Sequence, residues 1–396
     1  MKQPTRLRKL STDESGFSLV FVSVGLLGFL GVSMLAIDVG MLMTARNQAQ
    51  NSADAAALAG ATALAFDSWE DRSATGPAVT SSIQVGQANP VMSGQVAIAP
   101  ADVEFLNDPA GEPNRVRVKV WRDAGHGNPV STLIAQYFGI STANISAVAT
   151  AEASPANAMT CVKPFTIPDR WTENQSPVWD PSDTFDRYKK QGSSYVIVTN
   201  PDVYVPQYNG STPNPGYTGY NNETNRGMQL VLRASTGTNI QPSFYFSLAM
   251  TGDTGGDDYS WNIANCNRSI YNVGDPLIQE PGNKVGPTIQ GMEELIARDP
   301  GAYWDTYTNS VKNSAFPERK SPRIFPIPLY DPDYYDEGKQ LGRTASLITA
   351  NWIGYFVERI EGSSDIYGRI IPIGGIRDKT GLKGTASMPK AIRLVE

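Results

Sequence analysis

The chain has 396 residues, enough for two or three domains with cores of their own. Its formal net charge is −6, and no dense Lys/Arg block follows the N-terminus, which excludes the basic footprint of a nucleic-acid binder. A single histidine, His126 in the turn-like stretch RDAGHGNP, argues against histidine-rich metal sites and against Ser-His or Cys-His catalysis.

Residues 17–37, FSLVFVSVGLLGFLGVSMLAI, form 21 positions without a charge. As a helix they span about 31 Å, the thickness of a bilayer's hydrocarbon core. The run is too long for the apolar stretch of a cleaved signal peptide, and DVGMLMTARNQ after it holds no A-x-A-like site. An uncleaved anchor is therefore expected. Lys2, Arg6, Arg8 and Lys9 precede the span, whereas only Arg46 follows closely, so the positive-inside rule keeps residues 1–16 in the cytoplasm as a basic tail. Residues 38–396 are then exported, in a single-pass topology.

Beyond the span, alanine recurs at every fourth position: Ala45, Ala49, Ala53, Ala57, Ala61 and Ala65. A step of four advances about 400° around a helix, so the methyl groups make one slowly drifting ridge. Nothing here breaks a helix, and the membrane helix is expected to continue to about Phe66. A ridge of small residues lets another backbone come close, as small-xxx-small seams do in membranes. Gly25, Gly28 and Gly31 lower the bulk of the span itself. Such a stalk suits packing against the protein's own head or against a neighbour's helix.

From about 78 the pattern changes. PAVTSSIQVGQAN reads as a second short helix, and QVAIAPADVEFL and RVRVKVWR as strands, the latter with Val116, Val118 and Val120 on one face and Arg117 and Lys119 on the other. PVSTLIAQYFGI reads as a short amphipathic helix with Leu133, Ile134, Tyr137 and Phe138 apolar, and ANISAVATAEA as a strand. Together, residues 38–155 describe a pilin-like α+β domain whose spine is the stalk. A turn-rich break, ASPANAMTC, opens a second domain, 156–396, in which sixteen of the seventeen tyrosines lie. That domain is expected to be mainly β, with strands in SYVIVT, GMQLVLRA, SFYFSLAM, RIFPIPLY, ASLITANWIGYFVERI and IYGRIIPI, and one helix in TIQGMEELIARD. Residues 206–227 read as a long exposed loop.

Cys161 and Cys266 both fall on the exported side and show no CxxC spacing, so a disulfide between them is expected rather than a zinc site or a redox dithiol. WDPSDTF at 179–185 partly matches a metal-adhesion loop, but no buried strand leads into it, and Asx-turn chemistry is the expected reading. Carboxylates gather at Asp253, Asp257 and Asp258 and again at Asp331, Asp333, Asp336 and Glu337, without EF-hand spacing, and read as acidic surface turns. No nucleophile elbow, phosphate loop or zincin helix is present, so no catalytic residue, metal ligand or cofactor is assigned. The alternative is an exported carbohydrate-binding protein, or a glycan hydrolase built on a carboxylate pair.

The segment ESGFSLVFVSVGLLGFLGVSMLAIDVGMLMTARNQAQNSADAAALAGATAL resembles the TadG-like family of Tad (Flp-type) pilus-assembly proteins, above all in the string from Asn51 to Ala61. The resemblance implies a single-span inner-membrane protein with a periplasmic body, acting as a structural or assembly component. Its partners would be other Tad membrane proteins or pilus subunits, the lipid bilayer, and a further copy of itself through the stalk. Two features depart from that pattern. Cleavage after Gly16 would put Phe21 where related prepilins carry glutamate, and the metal loop of the longer relatives' von Willebrand A domain is not found.

Overall fold

The structure is a computed structural model that describes residues 15–109, 111–176, 178–209, 212–235, 239–250, 255–317, 319–340, 347–378 and 387–395. Lys2, Arg6, Arg8, Lys9 and Asp253 lie outside these residues. With alanine at its best positions and no proline to interrupt it, helix α1 runs unbroken from Ser15 to Phe66, 52 residues and about 78 Å. Over 18–37 its large apolar side chains are exposed, and this part is long and apolar enough to cross a membrane. The chain divides into two compact units. The first takes in the chain to Ala61, Arg72–Ala151 and the last residues from Leu394; the second takes in Thr62–Asp71 and Glu152–Arg393.

In the first unit, α2 (Pro77–Ala88) starts on a proline at its first turn, where the missing N–H costs nothing. Strands β1 (Val103–Leu106), β2 (Arg115–Arg122), β3 (Val130–Ser131), β4 (Thr142–Ala143) and β5 (Ile145–Pro155) follow. β1 and β2 are antiparallel with Val103 opposite Val118 and Phe105 opposite Val116, and β5 lies on the other side of β2. Val116, Val118 and Val120 are fully buried, as the alternation demands. The same alternation puts Arg122 on the buried face. Its guanidinium donates to Asn128 O (2.8 Å) and Val91 O (2.9 Å), and it occupies space that a Cβ on Gly94 would need.

Two local expectations change here. QVAIAPADVEFL is a strand only from Val103, because Pro100–Asp102 form a 3-10 turn. PVSTLIAQYFGI is not an amphipathic helix. Between the paired strands β3 and β4 it makes one 3-10 turn, Ala135–Phe138, which Gly139 ends with φ of 85°. Val130 is buried, but Leu133, Tyr137, Phe138 and Ile140 are exposed.

The second unit is β-rich, as expected, and its sheet closes into a barrel. Its strands are β6 (Phe165–Pro168), β7 (Gln229–Ala234), β8 (Phe244–Ser247), β9 (Pro276–Leu277), β10 (Ile324–Tyr330), β11 (Leu347–Glu361) and β12 (Asp365–Ile371). They pair in the order β9-β11-β10-β6-β8-β7-β12, and β12 returns to pair with β11, closing six strands. The pairs β6–β10 and β7–β8 are parallel, the others antiparallel. Phe325, Ile327 and Leu329 of β10 and Ile353, Tyr355 and Val357 of β11 belong to the buried core cluster, at alternate positions. The prolines between them on β10, Pro326 and Pro328, lack N–H groups but accept through their carbonyls, from Lys163 N–H (3.1 Å) and Thr166 Oγ1 (2.8 Å). Gly368 of β12 is required: a Cβ there would lie 2.4 Å from the Tyr355 ring.

Helices α3 (Gly256–Ala264) and α4 (Val285–Arg298) meet at Gly291, where a Cβ would be 2.6 Å from Ile263. Their Tyr259, Ile263, Met292 and Leu295 join the same core cluster, so the helix pair packs onto the barrel core. SYVIVT contributes only Ser194–Ile197, in a hairpin with Tyr188–Gln191 outside the barrel. Residues 206–227 are not simply an exposed loop: Tyr220 is fully buried, because its ring packs edge-on against Trp179 and it joins the core cluster.

Candidate functional site

The alanine ridge is buried by the protein itself. Ala45, Ala53, Ala57 and Ala61 are 0% exposed, Ala49 is 1% and Ala65 is 7%. On the adjoining row of α1, formed by Gln48, Ser52, Ala56 and Gly60, what comes close is α2 and the segment just after it. A Cβ on Gly60 would stand 2.2 Å from Ser82 Oγ and 3.3 Å from Ala78 O, and one on Gly86 would stand 3.2 Å from Ala56 Cβ. Ser52 Oγ donates to Gly86 O across the seam (3.0 Å), and Gln48 Oε1 accepts from Met92 N–H (2.8 Å). Small residues on both helices thus let two backbones approach closely enough for a serine hydroxyl of one to reach a carbonyl of the other. Inside the span the opposite holds: Gly25, Gly28 and Gly31 have no side chain or foreign backbone within 4 Å.

At the top of the span, Asp38 is buried beneath the 3-10 turn. Its Oδ1 accepts from Leu133 N–H (2.9 Å) and Ile134 N–H (3.1 Å), and its Oδ2 from Ala135 N–H (2.5 Å). A carboxylate serving the orphan N–H groups of a turn is ordinary capping chemistry; here the acceptor sits about 95 residues away in sequence.

The described residues of the acidic clusters lie at or within helices rather than in surface turns. Asp257 and Asp258 lie in the first turn of α3, and Asp331 caps α5 (Pro332–Gln340) by accepting from Tyr334 N–H (2.9 Å). Asp333 pairs with Arg187, and Asp336 with Lys339 at 3.5 Å. In WDPSDTF, Asp180 Oδ1 accepts from Ser182 N–H (2.6 Å), an Asx turn. His126 is bonded to Asp123 Oδ1 (2.6 Å) and stacked on Trp121. Among the described residues, no three of His, Cys, Asp and Glu come together as a cation-binding set.

Cys161 and Cys266 form a disulfide, with Cα atoms 4.3 Å apart. It staples the approach to β6 onto the end of α3. Beside it, the buried Lys163 ammonium donates to Ile263 O and to Asn265 O (2.9 Å), and Arg298 donates to Ala264 O (2.6 Å). Two cations thus meet the carbonyl end of a helix, where its dipole favours them. Burial, with Arg298 adding repulsion, lowers the Lys163 pKa to about 7.

Sequence reasoning passed over Asp169, at the end of β6. It is fully buried and accepts from Tyr220 N–H (3.0 Å), Arg170 N–H (2.9 Å), Tyr217 OH (2.8 Å) and Tyr204 OH (3.1 Å). Asn351 Nδ2 donates to Tyr217 Oη (2.7 Å) and to Ser387 Oγ (2.9 Å), extending the network. Burial raises the Asp169 pKa to about 6, against the pull of the four donors, and Asp331 at the end of the parallel strand β10 is raised to about 6 as well. Because the folded value exceeds the unfolded one, protonated Asp169 favours the fold. Its stabilisation is full below about pH 4 and is lost as pH rises through about 6. Relative to Asp169→Asn, the native protein is therefore expected to lose about 3 kcal/mol between pH 4 and 7, measured by urea unfolding at each pH. Parallel curves for the two proteins would overturn this.

A lipid-length exposed helix that continues as the buried spine of an α+β unit fits a membrane-anchored protein. Residues 16–63 match the family model for Flp pilus-assembly TadE/G-like proteins, and residues 41–151 the model for Tad-like Flp pilus assembly. These matches support a TadG-like family of Tad pilus-assembly proteins for the N-terminal region, residues 16–151. No curated protein and no solved structure matches the chain.

Proposed function

We propose that the protein is an inner-membrane structural component of a Tad (Flp-type) pilus or related secretion apparatus. Its N-terminus lies in the cytoplasm, its two units are exported, and it acts by contact rather than by catalysis. The observation that carries this reading is α1: one helix whose first part is exposed and apolar and whose second part is the buried spine of the family's own domain. The seam from Ala45 to Ala61 is filled by the chain itself, so lateral association with a neighbouring helix falls to the open glycines at 25, 28 and 31. The barrel unit is the surface offered to other pilus components. A glycan hydrolase is disfavoured by the use of Asp257, Asp258, Asp331, Asp333 and Asp336 at helix starts and in ion pairs.

An alkaline phosphatase fused after Glu70 should be active, because the Lys/Arg bias holds the N-terminus inside. An inactive fusion whose companion cytoplasmic reporter is active would reverse the topology and remove the export on which this function depends. Crosslinking of the full chain in the membrane should recover other Tad components.

A further inference from the structure

We infer that the turn from Leu133 to Ile140 is a second membrane contact, inserted into the interfacial layer of the leaflet where α1 leaves the bilayer. This rests on the reading of residues 17–37 as a membrane span. Height comes first. Asp38 ends the apolar run, and its carboxylate is hydrogen-bonded to Leu133, Ile134 and Ala135 N–H, so the turn is held level with the exit of the helix. Chemistry comes second. Leu133 is 56% exposed, Tyr137 82%, Phe138 73% and Ile140 60%, four large side chains turned outward within eight residues. Tyr and other amphipathic rings are enriched at that depth of a bilayer.

Charge is the third observation. No Asp, Glu, Lys or Arg occurs from Ala124 to Ala151, so nothing charged on this segment must be stripped of water when the turn enters. The apolar surface is also continuous with the span. Val39, Leu42 and Met43 of α1 line a groove with Ala143 and Ile145 just above the exit, which the polar Asn144 and Ser146 and the side chain of Arg46 complete. Arg46 lies about 12 Å along the axis from Asp38 and its side chain leans back toward the N-terminus, within reach of lipid phosphates. The occupant of this face is therefore lipid. A helix and a turn together give the first unit two points of attachment and restrict how it tilts on the membrane.

The test uses the full chain, with its native disulfide intact, reconstituted in phosphatidylcholine vesicles. Nitroxide labels are placed at Phe138→Cys, at Leu26→Cys within the span and at Glu104→Cys on the exposed side of β1, and their collision with oxygen and with an aqueous nickel chelate is measured. Position 26 should read deep, 104 aqueous, and 138 just below the phosphates, with oxygen favoured several-fold over nickel relative to 104. An aqueous reading at 26 would sink the span itself. With 26 deep, an aqueous reading at 138 would overturn the inference alone. Exclusion of both reagents at 138 would do the same, because it would assign the turn to a protein contact.

Discussion

Replacing Cys161 and Cys266 together by serine is expected to destabilise the barrel unit by about 4–5 kcal/mol, the chain-entropy value for a loop of this length. The two cysteines are 105 residues apart in sequence, and the loop between them contains β6, β7, β8 and α3. Without the bond, the end of α3 is still held by Ile263 in the core cluster and by polar ties: Cys161 N–H to Asn267 O (2.8 Å) and the Lys163 and Arg298 contacts to its last carbonyls. Those persist in a serine variant, so the native fold should form but open sooner. Hydrogen exchange in detergent would locate the loss. Protection should fall most in peptides covering 158–168 and 256–267, and little in the first unit. Exchange that is unchanged in those peptides, with an unshifted urea midpoint, would refute the stabilising role.

The seam between α1 and α2 should be nearly as sensitive. Gly60→Val places methyl groups where Ser82 Oγ and Val116 Cγ1 already stand, and overpacking of this severity is expected to cost about 3 kcal/mol or more. Ala53→Leu, at a fully buried position, should cost about 1–3 kcal/mol. Leu is close to Ala in helix propensity, so far-UV helicity before the transition should survive while its midpoint falls. Asn51→Leu, on the exposed side of the same turn, serves as the comparison and should shift the midpoint little. Equal midpoints for Asn51→Leu and Ala53→Leu would mean that the alanine stripe reflects helix propensity alone.

The parts of this protein that are local in sequence were legible there. The span was read from 21 uncharged residues, and the stalk from alanine spacing, because length and helix period need no partner to be recognised. RIFPIPLY and IYGRIIPI were read as strands for the same reason: a two-residue period is visible in the strand itself. Which backbone covers the ridge was not visible. Nor was it visible that Gly86 and Ser82 would meet the adjoining row at Ser52, Ala56 and Gly60, which happens only because α2 folds back across α1, a choice made by long-range packing. Barrel closure likewise depends on β12 pairing with the distant β7 and on the parallel pair β6–β10 between distant segments, and a strand's sequence does not name its neighbour. Asp331 and Asp257 were misread as surface turns because an acidic residue announces a helix start only once the helix after it is known. Asp169 gave no signal. One carboxylate after a short strand is indistinguishable from a solvated strand end until Tyr204, Tyr217 and Tyr220 arrive from a loop rich in Gly, Pro and Asn. Composition and period set what each segment could become; desolvation, acting only when distant segments meet, decided which polar groups had to find each other.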